Sequence, residues 1–358
     1  TNRGQVPPPS PSTSYVFQGP PRIAIRTRTD DQPRYVDTSS NIWTWYDGGI
    51  AMSINWSELN LNPEFLEIAK SFVAHALEKY APVTALKMTK VLHLLAQSQI
   101  ALKFPWVQQE VVETVSAWKQ FREGLIFFRT LYRWAIDRGI FGFSRETYLA
   151  IKQIKSNHID PYARIFLSQS ILELDEEVRL LKRIELNATA ADWKDLQLNI
   201  ILQLGFELAP RNIQFHSLNI ADFEVINTSS LDKYYTLWLP MAKKVGQRRP
   251  ERRPRKVTSS LGAKIENHIA ELKRRFGDTC EALFVSPHGK RLSVLVIGEN
   301  LKCELREAGI ERPNQVSTLL RHHLGQGLAD QGTSAELICR TTRPQQYSSC
   351  ACLCCGDS

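Results

Sequence analysis

Between Pro105 and Gly139, apolar side chains recur at three- and four-residue intervals: Val111, Val115, Trp118, Leu125, Phe128, Tyr132 and Ala135. That spacing puts all seven on one face of helical backbone, and so broad an aromatic face has to be buried against other helices. Upstream, "LNPEFLEIAKSFVAHALEKYA" carries one helix, and "APVTALKMTKVLHLLAQSQ" starts another with Pro82 at a tolerated first-turn position. Gly139 and Gly142 in "DRGIFGF" end the long pattern, and a short helix follows from Glu146 to Lys155. The sequence therefore predicts a compact domain of four to five helices over 56–156, with the aromatic stripe as its core.

The pattern breaks at "SNHIDPYARIFLSQSI", which reads as a linker over 157–172. Residues 173–338 then predict a mixed domain. "LELDEEVRLLKRIE" opens it as a helix, followed by a second helix, a turn at Ala209-Pro210, a short helix and a strand ending near "ADFEV". "YYTLWLPMAKK" has strand composition, with a hairpin or loop behind it. Leu261, Ile265, Ile269, Leu272 and Phe276 mark another amphipathic helix, "EALFVSPHGKRLS" a strand and turn, and "NQVSTLLRHHLGQGLADQGTSAELI" a helix pair broken near Gly332. The expected fold class is mainly α with a small β-sheet, α+β, and there is no internal repeat. Residues 1–55 read as an extension, Pro/Ser-rich and disordered at the start, then extended and irregular.

With 358 residues, 43% of them hydrophobic and 23% charged, the chain can build two cores and has the balance of a soluble protein. No apolar run approaches the roughly eighteen residues that would span a bilayer. The start has neither an initiator Met nor an apolar signal segment, and reads as a lead-in or as the edge of a longer protein. Cysteine is sparse before the last twenty residues, which favours a reducing cytoplasm. The net charge of +8 is concentrated in "KKVGQRRPERRPRK". There Lys243, Lys244, Arg248, Arg249, Arg252, Arg253, Arg255 and Lys256 face a single Glu. Such a run is either a solvated loop or a contact to a phosphate backbone, where clustered cations release condensed counterions.

Two constellations stand out. In the first, Arg211 sits at a helix start with Asp222 eleven residues later. In the second, Thr318, Arg321 and His322 are followed by Gly332. In this order and spacing, over residues 60 to 338, they resemble the tyrosine recombinases of the phage-integrase family. The resemblance implies a helical core-binding domain that clamps DNA, followed by a catalytic domain. It assigns Arg211 and Arg321 as a guanidinium clamp on the non-bridging oxygens of the scissile phosphate. Lys243, with Lys244 as the alternative, would protonate the leaving 5′ oxygen. A tyrosine would form a covalent phosphotyrosyl link, so that rejoining needs no cofactor and no metal. The partner implied is double-stranded DNA in a bacterial cytoplasm or nucleoid, with self-association into tetramers in intact relatives. Lys244, Arg248, Arg249, Arg252, Arg253, Arg255, Lys256 and His322 are the DNA-contact candidates. The chain departs from the pattern at Thr318, where the family usually has His, and at Ala209-Pro210, where it often has Gly-Leu.

The family's last motif would place a histidine at position 344 and a tyrosine at position 353. This chain has Pro344 and Leu353. A one-base shift of plausible codons for "CRTTRPQQYSSCACLCCGD" can restore both residues in register, so the tail over 339–358 is expected to be out of frame. Cys339, Cys350, Cys352, Cys354 and Cys355 lack the paired spacing of a zinc site, and Tyr347 lies three residues beyond the expected histidine. The expectation is a recombinase that binds DNA without cleaving it. The alternatives are a DNA-binding accessory protein that was never catalytic and, more remotely, a metal-responsive protein acting through its tail.

Overall fold

A computed structural model describes residues 17, 19–25, 34–157, 171–186, 192–227, 233–241, 251–311 and 316–334. The chain is mainly helical with small antiparallel sheets. It divides into two compact units, with the main division after residue 158.

In the first unit, β1 (Arg22–Ile25) pairs antiparallel with β2 (Arg34–Asp37). β3 (Ile42–Asp47) pairs with β4 (Ile50–Asn55). The extended, irregular reading of this region is thus corrected to two paired ladders. Gly48 and Gly49 connect β3 to β4 with φ of +59° and +75°, the mirror-turn geometry that suits strand twist and that glycine adopts without strain. Trp43 and Trp45 alternate into the core, and Trp43 packs edge-on to Trp56 at 5.0 Å.

Helices α1 (Pro63–Lys79) and α2 (Pro82–Ala96) each begin on a proline, and Asn62 caps the first by accepting from Glu64 N at 3.0 Å. The long apolar pattern resolves into two helices, α3 (Gln108–Ser116) and α4 (Arg122–Asp137). All seven periodic residues are buried even though the helix is interrupted. Ser144 caps α5 (Arg145–Gln153). Phe65, Trp106, Phe128 and Tyr132 form the aromatic centre, with Phe65 and Trp106 rings 4.5 Å apart.

The second unit opens with α6 (Leu174–Leu186), acidic in its first turn and basic in its last, as the helix dipole favours. α7 (Trp193–Leu208) is its central helix, buried on most sides. α7 ends at Ala209, whose φ of +45° and ψ of +48° make it the sole left-handed residue other than glycine among those described. This is the position where the resemblance has glycine, and the backbone keeps the glycine-like turn at a local cost of about 1–2 kcal/mol. The short α8 (Asn212–His216) follows, then a single 3₁₀ turn (Ile220–Asp222). β5 (Phe223–Asn227), β6 (Lys233–Pro240) and β7 (Arg252–Val257) form an antiparallel sheet in that order. α9 (Ser259–Phe276), α10 (Val294–Glu307) and α11 (Val316–Asp330) complete it. Leu202, Leu237, Ile265, Ile297, Leu301 and Leu320 lie at the core. Among the described residues no helix is long and apolar enough to cross a membrane.

One local reading changes. Of the strand and turn expected over 281–293, the strand is reduced to isolated bridges at Ala282 and Val285. The reason is that a side chain has taken the ladder's place: Gln197 of α7 donates to Val285 O at 3.0 Å and accepts from Val285 N at 2.8 Å. Gln197→Leu would leave both backbone groups buried without those partners, and at about 1–3 kcal/mol each the variant should lose roughly 2–4 kcal/mol in urea unfolding. Of the helix pair expected over 314–338, the first helix runs to Asp330 and is broken near Gly332, whose φ is +74°; residues 335–338, where the second would run, lie outside those described.

Candidate nucleic-acid interface

Arg211 follows the left-handed Ala209 and sits half-buried at the N-cap of α8. Its backbone N–H donates to Gln214 Oε1 at 2.9 Å, and its carbonyl accepts from Gln214 N at 2.7 Å. Gln214 Nε2 then donates to Pro240 O, the last residue of β6, at 2.6 Å. One glutamine therefore ties the Arg211 turn to the strand end from which residues 242–250 depart. The other side of that departure is closed by Met241 N donating to Glu251 O at 2.7 Å.

Beyond α8, Arg291 organises the chain. It donates to the carbonyls of His216 and Leu218 at 2.7 and 2.9 Å, and to Asn219 Oδ1 at 2.6 Å. Asp222 is buried and accepts from Asn219 N at 2.8 Å. Its other oxygen is ion-paired with Arg252 Nε, so this aspartate is engaged by the first arginine of β7.

Arg321 lies on α11, one turn after Thr318, and its Nη2 donates to the Thr318 hydroxyl at 3.0 Å. Threonine at this position therefore orients the arginine by accepting, a role without proton transfer. His322 is half-buried beside it, while the next residue, His323, faces Glu177 at 3.6 Å. α11 is held against α7 at Gly205, where an added Cβ would lie 3.1 Å from Leu320 and 3.3 Å from Leu301. The elements bearing Arg211 and Arg321 thus share one core.

The described part of the basic stretch is itself the edge strand β7. Arg252 is committed to Asp222 and also reaches Ser217 O at 3.5 Å. Arg253 stands opposite Leu239 and 3.5 Å from Glu251. Arg255 stands opposite Leu237, and burial, then the neighbouring Arg253, lowers its pKa. Lys256 is exposed with its ammonium 5.3 Å from the Tyr234 ring centroid. Lys243, Lys244, Arg248 and Arg249 lie outside the described residues, as do Pro344, Tyr347, Leu353 and the tail cysteines. Among the described residues no group of three or more His, Cys, Asp or Glu converges as a metal site.

The structure therefore brings Thr318 to Arg321, Asp222 to Arg252, and the Arg211 turn to the root of 242–250. Gln214 and Arg291 are positioning residues that the sequence alone did not single out. For Gln214 a signal was available, since a glutamine three residues after an N-cap is the capping-box spacing. Arg291 had none, because its acceptors lie more than seventy residues earlier.

No protein-family model matches the sequence, and no curated protein matches it. Solved structures do. The XerH site-specific recombinase bound to difH substrate before cleavage is similar with a TM-score of 0.56 and 14% identity, over 84% of this chain and 81% of that chain. The Tn1549 transposon integrase with a circular intermediate DNA gives 0.56 and 11%, over 80% and 93%. A lambda integrase dimer bound to a core site gives 0.53 and 10%, over 81% and 94%. At such identities what is shared is the fold, and it is the tyrosine-recombinase fold.

Proposed function

We propose that this chain is a site-specific recombinase or integrase of the tyrosine type, which binds double-stranded DNA in the cytoplasm and, in this copy, does not cut it. The observation that carries the reading is the pairing of a shared fold with a prepared Arg211 turn, tethered through Gln214 to the strand end where the basic run 242–250 begins. Arg211 and Arg321 supply two guanidinium groups, planar donors suited to the equatorial oxygens of a phosphorane. Thr318 fixes the second of them. Lys243 is the proton donor to the leaving oxygen, with Lys244 as its alternative. The remaining cations of 244–256 follow the backbone, apart from Arg252, whose guanidinium belongs to Asp222. Strand cleavage needs a nucleophile that positions 344 and 353, occupied by Pro344 and Leu353, do not provide.

Fluorescence anisotropy on a labelled duplex tests binding. Replacing Lys243, Lys244, Arg248 and Arg249 together by alanine should flatten the plot of log affinity against log salt by about 0.9 for every phosphate that is no longer neutralised. An unchanged slope would sink the assignment of this run to DNA. Arg252→Ala should leave the slope nearly intact and lower stability instead, because it strands the buried Asp222. A nicked suicide substrate tests the chemistry: no covalent adduct is expected, and an adduct would refute the non-cleaving reading. In a chain whose last motif is restored, Arg211→Ala with Arg321→Ala should abolish the adduct and keep binding. If the restored chain forms none, the protein is an accessory DNA binder.

A further inference from the structure

Helix α6 buries one apolar stripe, with Leu180 and Ile184, in the core of the second unit. A second stripe on the same helix faces outward. Leu174, Val178 and Leu181 recur at four- and three-residue steps and are 78%, 42% and 40% exposed. At about 100° per residue the three fall within about 60° of arc, so they form one continuous seam. That spacing is the spacing of a coiled-coil seam, whose side chains insert between those of a facing helix. Glu185, exposed, stands at the next seam position.

The charges beside the seam select the facing helix. α6 is acidic in its first turn and basic in its last. Glu176 is buried and accepts from Glu173 N at 2.9 Å, and Arg183 pairs with Glu304 at 2.9 Å. Glu177, on one edge of the seam, faces His323. On the other edge Asp175 and Lys182 are both exposed, about two turns apart. Asp175 bonds Arg179 at 2.6 Å, but both side chains are well exposed and such a pair contributes little in water.

A second α6 laid antiparallel on the first brings like edges together. Asp175 of each copy then faces Lys182 of the other, twice about one twofold axis. In the same register Val178 meets Leu181 of the second copy. A parallel pairing would set the two acidic first turns side by side, where they repel.

We propose that α6 is a self-association surface on which a second copy of this chain docks through its own α6, antiparallel. The seam is short, well under the roughly 800 Å² per partner of standard interfaces, so the dimer is weak, with a dissociation constant of about 50–500 μM. The pairing needs no DNA and does not depend on the chain being a recombinase.

Sedimentation velocity on the full chain without DNA tests this. The mean mass should rise toward that of a dimer between about 10 and 500 μM. A monomer throughout overturns the proposal and leaves the seam to a segment of the same chain or to a different protein. Val178→Asp, at an exposed position, should weaken association by at least about tenfold with its circular dichroism retained. Glu185→Leu, which extends the seam, should tighten it by about fivefold to tenfold. Either variant, folded and without effect, overturns the proposal; if Val178→Asp does not fold, Glu185→Leu alone is read. Asp175→Lys and Lys182→Glu should each weaken association by about threefold or more, because each leaves the edge with one sign of charge. Mixed in equal amounts, the two variants should pair as tightly as the parent, since each edge then meets its opposite. A mixture that associates no better than its components overturns the antiparallel seam.

Discussion

Gly262→Ala should destabilise the second unit by about 2–3 kcal/mol, although alanine is the better helix former. Gly262 is in the first turns of α9, where the helix crosses β6. A Cβ at this position would lie 2.1 Å from Tyr235 Cγ and 2.2 Å from its Cδ2. Helix propensity favours the substitution by about 1 kcal/mol. Against that stand an overpacking cost of about 1–3 kcal/mol or more and the loss of what holds the ring. Tyr235 stacks on Phe223 with centroids 5.8 Å apart, and its hydroxyl donates to Glu266 at 3.3 Å. The clash involves the root of the ring, not the tip of a flexible chain, so it cannot be relieved by a rotamer change alone. Urea unfolding measures the loss. In a Tyr235→Ala background the same substitution should become neutral or stabilising by up to about 1 kcal/mol. A full-sized loss in that background would mean that the close approach is not the cause.

Acid should weaken the same unit through His268, by about 3 kcal/mol. His268 is fully buried on α9, with Nε2 3.0 Å from Leu283 O and its ring stacked on Phe284. Burial pushes its pKa down to about 4. Because the folded pKa lies below the unfolded one, the unfolded chain binds the extra proton between the two. Stability is therefore complete above about pH 6.5 and is lost as pH falls toward about 4, at about 1.4 kcal/mol per unit of pKa. His268→Gln keeps a donor for Leu283 O and has no proton to gain, so its unfolding midpoint should be flat across that window. Glu271 titrates in a different one: Arg274 and Arg275 hold it at about 2, and what it contributes is lost only below about pH 4.5. A histidine variant as acid-sensitive as the parent between pH 6.5 and 5 would contradict this assignment.

These two residues also show what could be read in advance. The apolar spacing of α9 was visible in the sequence, because helix burial repeats locally and needs no knowledge of the partner. The burial of Val111 through Ala135 was visible for the same reason, and it survived the break between α3 and α4. The helix α10 was missed although Ile297, Leu301, Leu305 and the capping Ser293 gave the same local signal. Pairings were harder. The Gly48-Gly49 pair is a hairpin signal that the extended, irregular reading passed over, and short strands rich in Trp and Tyr have no period of their own length to distinguish them from irregular chain.

Contacts set by distant segments were not legible. The spacing from Arg211 to Asp222 cannot reveal that Arg252, thirty residues on, reaches the aspartate. The composition of "EALFV" cannot reveal that a glutamine from α7 occupies the ladder positions of Val285. The order of the two arginine constellations, by contrast, is a pattern along the chain, and such a pattern needs no packing to be seen. Which of these residues touches phosphate is decided by salt dependence and by trapping on a nicked substrate.

The bridge made by Gln214 has a mechanical meaning. Its amide grips Pro240, and its oxygen and backbone grip Arg211, so the root of the 242–250 segment and the base of the arginine act as one lever arm with a shared fulcrum. A displacement of Pro240 at the end of β6 is passed through one side chain to the backbone of Arg211.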